Sequence, residues 1–357
     1  MRDFLKISFV LLLFVSNSIF AQVGGGNTFD FLTLTNSARS ASMGGDLISI
    51  QDDDLNLTFE NPSLLNPNNS NQLVLNYVNY FSDINFGYAA YAMDFEKVGT
   101  FSAGMHYMNY GTFQHTDVTG IILGEFTAAE YSFNILYSKS IDSLFNFGVN
   151  LKSIYSSLET YTSFGMAIDA GVTYYNPKSE LLFTAVVKNL GTQMKPYVPG
   201  NYEPLPFDLQ IGFSKKMKHA PFRISVVAHH LYTYDLTYEN PLDPANIPDP
   251  ITGEVSEKSS FEENGDIVLR HLIFGMEITP LKGFYIRAGY NHQRHQEMKL
   301  FTQNSFAGVS WGVGIKIYKF NFSYGNAIYH FAGSSHHFSI TTNISDFKKN
   351  TSSTETL

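Results

Sequence analysis

From Gln72 to Asn343 the chain repeats one pattern, short runs in which apolar and polar residues alternate with a period of two. Fourteen such runs can be read, from 72–80 and 84–95 through 129–139, 145–158 and 163–175 to 320–330 and 334–343. In 129–139, Tyr131, Phe133, Ile135 and Tyr137 face one way and Ser132, Asn134 and Ser138 the other. In 145–158, Phe145, Phe147, Val149 and Leu151 alternate with Asn146, Gly148, Asn150 and Lys152. Most runs hold 9–14 residues. A tilted strand needs about 9–11 residues to cross the apolar layer of a membrane, whereas strands of soluble proteins average about five or six.

Alternation alone also fits a soluble all-β protein, and composition decides between the two. Only 15% of the 357 residues are charged and 15% are aromatic, against about 25% charged in soluble domains. Past the N-terminus no apolar run approaches the ~20 residues of a membrane helix. Few charges, many aromatics and no long apolar window are the signature of a transmembrane β-barrel, whose lipid-facing and lumen-facing residues alternate. The fold expected is all-β, a transmembrane antiparallel β-barrel of about fourteen strands. Closure is required, because lipid leaves no partner for an unpaired strand edge.

The connections sort by parity. One set is tight and charged: 96–98, 142–144, 176–180, 218–220, 280–282 and the Lys319 junction. The alternate set contains every long connection, 111–128, 191–205, 235–266 and 294–306, beside short ones near 81–83, 159–162 and 331–333. Such asymmetry matches the periplasmic turns and extracellular loops of an outer-membrane barrel. The N-terminus agrees with export: Arg2 and Lys6 precede the apolar run Phe9–Val15, and a polar stretch ends at Ala21, which reads as a signal peptide over 1–21. There is no cysteine, so disulfides and thiol chemistry are excluded. The formal charge of −9 argues against a nucleic-acid partner, which needs a basic face.

Residues 22–70 differ from the rest. Small residues crowd around Arg39 in Ser37-Ala38-Arg39-Ser40-Ala41-Ser42, and the run ends in Gly44-Gly45. Thr35 or Asn36 is expected to cap a short helix reaching Met43, stopped by the glycines. An acidic, Asn-Pro-punctuated stretch follows to Asn69. A barrel of about eight strands fills itself with side chains, and a wider one does not. The segment 22–70 is therefore expected to plug the barrel of 71–343, with 344–357 as a tail. The plug residues singled out are Ser37, Ala38, Arg39, Gly44, Gly45, Asn61 and Pro62.

Charged residues on the polar face of the runs are Asp94, Lys152, Asp169, Lys188, Glu277 and Arg287. Asp169 or Glu277 is the expected partner of Arg39, with Arg287 as a further lumen charge, and salt bridges that pin plug and strands are the plain reading. Histidines gather late, at His229-His230, His292, His295, His330 and His336-His337. Adjacent residues of a strand point to opposite faces, so no metal site is expected. No catalytic constellation and no cofactor motif stands out. The loop 235–266 carries four prolines and nine acidic residues, among them Asp235, Glu239, Asp243, Asp249, Glu254, Glu262 and Glu263. Its composition resists an independent core and suits either a solvated loop or a docking surface, the latter with Ca²⁺ as a minor variant.

Phe31–Gly45, Asn61-Pro62-Ser63-Leu64 and the segment from Asn189-Leu190-Gly191 to Ile211-Gly212 resemble the FadL-like outer-membrane barrels of the type IX secretion system, the PorV/PorQ family of Bacteroidetes. Ser37-Ala38-Arg39 with Gly44-Gly45 fits that family's first motif. Asn61-Pro62-Ser63-Leu64 fits its second, with Ser63 in place of alanine. His271–Glu277, Arg287–Asn291 and Ser310–Gly314 look more like the PorQ branch. The resemblance implies a non-enzymatic component of the cell-surface attachment complex, in contact with outer-membrane lipid and lipopolysaccharide. It would hold a PorZ-like surface partner alongside other type IX components, in a Gram-negative outer membrane. The alternative is a FadL-type transporter of hydrophobic small molecules, marked by an apolar pocket near the N-terminus. The preponderance of Ser, Asn, Gly, Thr and Tyr on the polar faces weighs mildly against such a pocket.

Overall fold

The computed structural model describes residues 26–237, 260–298, 306–330 and 333–347. Fourteen antiparallel strands form a closed barrel in which each strand pairs with its sequence neighbours and the first pairs with the last. Eight of them are β1 (Gln72–Asn79), β2 (Asn85–Phe95), β3 (Gly99–Thr116), β4 (Ile122–Ser140), β5 (Phe145–Leu158), β6 (Tyr161–Asn176), β7 (Leu181–Lys195) and β8 (Asp208–Lys216). The others are β9 (Phe222–Ala228), β10 (Leu272–Leu281), β11 (Phe284–Asn291), β12 (Val309–Ile317), β13 (Phe320–His330) and β14 (Gly333–Asn343). Closure runs from Gln72 opposite Asn343 to Asn79 opposite His336, so the sheet closes on itself.

The barrel is apolar outside and polar inside. On β4, Phe133 and Ile135 are more than half exposed while Ser132 and Asn134 are fully covered. On β5, Leu151 faces out and Lys152 is completely buried. A soluble barrel would reverse this order; this one presents its apolar belt to lipid. Among the described residues no helix is long and apolar enough to cross a membrane.

Several boundaries depart from the sequence reading. The connection expected over 111–128 is mostly strand, because β3 and β4 continue to Thr116 and Ile122. A register shift between Asn109 and Thr112 breaks the period there and hides the continuation. Likewise β7 runs on to Lys195, shortening the expected loop 191–205. In contrast β9 stops at Ala228, where 221–234 was expected. The run expected to start at 267 begins instead as helix, α2 (Ser260–Arg270), with Glu262 and Glu263 in its first turn, where acidic side chains suit the helix dipole. A short helix α3 (His292–Glu297) follows β11. Residues 1–25, with the expected signal peptide, lie outside the described residues, as do 348–357 of the expected tail.

The N-terminal segment lies within the barrel. Helix α1 (Ala38–Ser42) is capped by Ser37, whose side chain accepts from the backbone N–H of Arg39 and Ser40; the cap is thus one residue beyond the expected Asn36. Gly44 and Gly45 have φ of +105° and +122°, values that only glycine adopts without strain. Three 3-10 turns follow, Leu55–Phe59, Pro62–Leu64 and Pro67–Asn69. Asn61 and Asn66 cap the last two. Met43, Leu47, Ile50, Leu57 and Leu64 give the segment a small core, completed by Leu182 of the wall.

Candidate functional site: the plugged lumen

Helix α1 packs against β11–β14, and the turn at Pro62–Leu64 packs against β4–β6. The segment therefore spans the lumen from wall to wall. Its small residues meet wall glycines at backbone distance. A Cβ on Gly289 would lie 2.2 Å from Gly44 N and from Met43 C, and one on Gly325 would lie 2.4 Å from Ala38 O. Ala38 N also donates to Ser339 Oγ at 2.9 Å.

At the short-turn end Arg39 is the centre of an ionic cluster. Its Nε and Nη2 donate to the two oxygens of Glu277, each at 3.0 Å. The same guanidinium reaches Asp52 at 2.8 and 3.2 Å and Asp54 at 3.1 Å. Glu277 also accepts from Arg287 Nε at 2.8 Å and Arg223 Nη1 at 3.2 Å, and Arg223 returns to Asp52 at 3.1 Å. Three guanidinium and three carboxylate groups thus balance. Buried ions hold only when paired and hydrogen-bonded, and the fork of arginine suits such multiple pairing. A cavity of about 310 Å³ opens beside the cluster, lined by Arg39, Asp52, Arg223, Glu277, Tyr285 and Lys316.

Two lysines hold the inner wall. Lys188 Nζ donates to Glu60 at 2.7 Å and Asp46 at 3.2 Å, tying β7 to the plug. Lys152 pairs with Asp169 at 2.8 Å, both fully buried, and donates to Asn189 Oδ1 at 2.7 Å. Of the two carboxylates expected for Arg39, the structure brings Glu277 to it and places Asp169 on Lys152. Asp94 instead accepts from Thr100 Oγ1 at 2.7 Å.

Asn61 does more than cap. Its Nδ2 donates to Ile48 O at 2.8 Å and Thr184 Oγ1 at 2.9 Å, while its Oδ1 accepts from Ser63 N and Oγ at 3.0 and 2.6 Å. Ser63 Oγ continues to Thr173 Oγ1 at 2.7 Å. Ser63 therefore stitches the Asn-Pro turn to β6, and Pro62 passes so close to β5 that a Cβ on Gly148 would lie 2.3 Å from its carbonyl.

At the long-loop end the start of the plug packs into the wall as an apolar cluster. Phe29, Phe31 and Leu32 pack against Val78, Phe86, Met108, Ile154 and Leu205, with Tyr80, Tyr110 and Tyr197 at the margin. Beside this cluster is a polar cavity of about 310 Å³, lined by Asp46, Lys188, Asp208, His229, His230 and Arg294 among others. Burial pushes the His229 ring down to about 3 and so keeps it neutral. The sequence reading missed this cavity, the Asp52, Asp54 and Arg223 members of the ionic cluster, and the apolar cluster. The Asp52-Asp53-Asp54 run was the one available signal for the first of these ion partners.

Of the proposed docking residues, Asp235 is exposed, and Glu262 and Glu263 lie exposed on α2. Glu239, Asp243, Asp249 and Glu254 lie outside the described residues. Asp266 pairs with Arg270 within α2 at 2.7 Å and links the helix to His292 of α3 at 2.9 Å.

No protein-family model matches the chain, and no curated protein is significantly similar in sequence. The fold does have relatives of known structure. The toluene transporter TbuX of Ralstonia pickettii superimposes with a TM-score of 0.53 over 88% of this chain and 99% of its own, at 11% identity. The closed barrel fold is shared with TbuX. The toluene transporter TodX of Pseudomonas putida (TM-score 0.49, 12% identity, 86% of this chain and 96% of its own) and a Pseudomonas aeruginosa FadL homologue (0.45, 10%, 87% and 98%) are also similar. At 11% identity the superposition on TbuX shows a shared barrel fold and implies no cargo.

Proposed function

We propose that this FadL-like chain is an outer-membrane barrel of a Gram-negative bacterium that passes hydrophobic small molecules around its plug. The observation that carries this is the packed apolar cluster at the long-loop end, centred on Phe29 and Phe31, which are 3% and 1% exposed. It lies near the N-terminus, where the transport reading expects an apolar pocket, although the polar-face composition weighed against one. Moving two aromatic side chains would expose a lined apolar space of the kind small-molecule sites use. TbuX, similar in fold, is a transporter of toluene; for this chain the class proposed is small lipophilic molecules.

A second reading is favoured by other residues. Phe31–Gly45 and Asn61–Leu64 resemble the PorV/PorQ barrels of the type IX secretion system. The plug is held by the Arg39 cluster, and acidic residues of α2 are exposed at the loop end. In this reading the barrel is a non-enzymatic anchor for a PorZ-like surface protein. Uptake of a radiolabelled monoaromatic into proteoliposomes separates the two. Transport predicts uptake above protein-free vesicles, increased several-fold in a Phe29→Ala/Phe31→Ala variant. No uptake by either protein, together with a secreted β-rich protein recovered in a mild-detergent pull-down, would overturn transport in favour of the anchor.

A further inference from the structure

The loop-end cavity holds a group of side chains that neither the ionic cluster of the plug nor the apolar cluster uses. Strand β8 starts at Asp208 and β9 ends at Ala228, which is paired with Ile211. The chain leaving β9 therefore runs back alongside Asp208, and Leu231 N donates to Leu209 O at 3.1 Å. In a regular strand His229 and His230 would point to opposite faces. Here His230 takes φ of +53°, outside the strand region, and the alternation breaks. The two rings come to 4.6 Å between centroids. One ligand atom from each of Asp208, His229 and His230 lies within 4.8 Å of the others.

We propose that Asp208, His229 and His230 form a binding site for a divalent transition-metal ion of the zinc class. Two imidazoles and a carboxylate are a donor set that such ions take, with remaining positions left to water. A second observation points to a ligand: His229 is 3% exposed, yet its Nε2 is buried without a hydrogen-bond partner. His230 Nδ1 is also buried without one, 3.4 Å from Asp208 Oδ1. Leaving such atoms unpaired is costly, and an ion would satisfy them.

The surroundings suit a ligand set. Asp208 is oriented by His230 N, which donates to Oδ1 at 2.7 Å, and by Gln210 Nε2, which donates to Oδ2 at 2.7 Å. His271 Nδ1 lies 2.8 Å from His229 O and pins the segment. Outer partners of this kind hold ligands in place at metal sites. Two cations share the cavity, and both are engaged: Lys188 on Glu60 and Asp46, and Arg294 over the Tyr329 ring at 4.0 Å. Ligand atoms around a tetrahedral zinc ion sit about 3.3 Å apart, so binding draws the three side chains inward. The sequence reading expected no metal because it treated neighbouring histidines as strand residues.

The test is zinc uptake by the full-length protein, purified in detergent without a polyhistidine tag and stripped of metal. After gel filtration, elemental analysis is expected to give one zinc per chain. Cobalt(II) is expected to give visible bands of a nitrogen- and oxygen-ligated ion. His229→Ala and the near-isosteric Asp208→Asn are each expected to weaken uptake at least about tenfold while keeping the heat-shifted gel migration of a folded barrel. His336→Ala, on β14, is expected to bind like wild type. Absence of stoichiometric zinc in the wild type, or uptake unchanged in folded His229→Ala, overturns the site.

Discussion

Arg39 shows how much one side chain can hold. It supplies five hydrogen bonds to three carboxylates, two from the plug itself and one from β10. Removing one partner of a buried ion pair typically costs about 3–5 kcal/mol, since the remaining charge stays buried. Arg287 and Arg223 continue to neutralise Glu277, so the lower end of that range is expected here. Arg39→Ala is therefore predicted to loosen the plug and raise single-channel conductance in planar bilayers. Arg39→Lys is predicted to fall between, because a point charge cannot make the bidentate contact. Wild-type conductance in the alanine variant would mean that the plug is held by packing alone. The charged residues on the polar face were legible in the sequence because alternation assigns each to a side. Their pairing was not, because it depends on the route of residues 46–60 across the lumen.

At the scale of elements, plug and wall are fitted by the smallness of both. Ser40, Ala41 and Ser42 are completely buried, and the glycines facing α1 leave room only for backbone. A Gly289→Val substitution would place carbon against Gly44 and Met43 in a site with no flexible side chain to yield, and overpacking of this kind costs about 1–3 kcal/mol. The variant is expected to insert and show the heat-shifted migration of a closed barrel, while trypsin cleaves after Arg39 faster than in the wild type. Protection equal to wild type would show that α1 and β11 separate easily. Period-two runs revealed every strand, because a strand buried on one face writes that face into its sequence. The boundaries that differ have local causes: the register shift after Asn109, the positive φ at His230, and the acidic first turn of α2.

For the whole molecule the decisive property is inversion. Ile135 is 53% exposed beside a fully buried Asn134, an order that only lipid rewards. Ile135→Arg is predicted to destabilise the barrel by about 2–4 kcal/mol in bilayers, the cost of a cation near the midplane of the lipid face. Urea titration of the protein refolded into vesicles measures it, and a change below ~1 kcal/mol would place Ile135 away from the apolar layer. Fourteen strands also make the lumen wider than wall side chains fill, and the plug completes the interior.

Alternation, scarcity of charge and loop parity were enough to specify a membrane barrel, its strand number and a plugging N-terminus, because each is a one-dimensional consequence of having two faces and two ends. Folding alone decided which carboxylate meets Arg39, that Phe29 and Phe31 pack into an apolar cluster of the wall, and that His229 and His230 come together with Asp208. Those facts join residues as far as 238 positions apart, as Arg39 and Glu277 are, or hang on a single backbone angle. Neither leaves a periodic trace, because the contacts are made between elements and not along them.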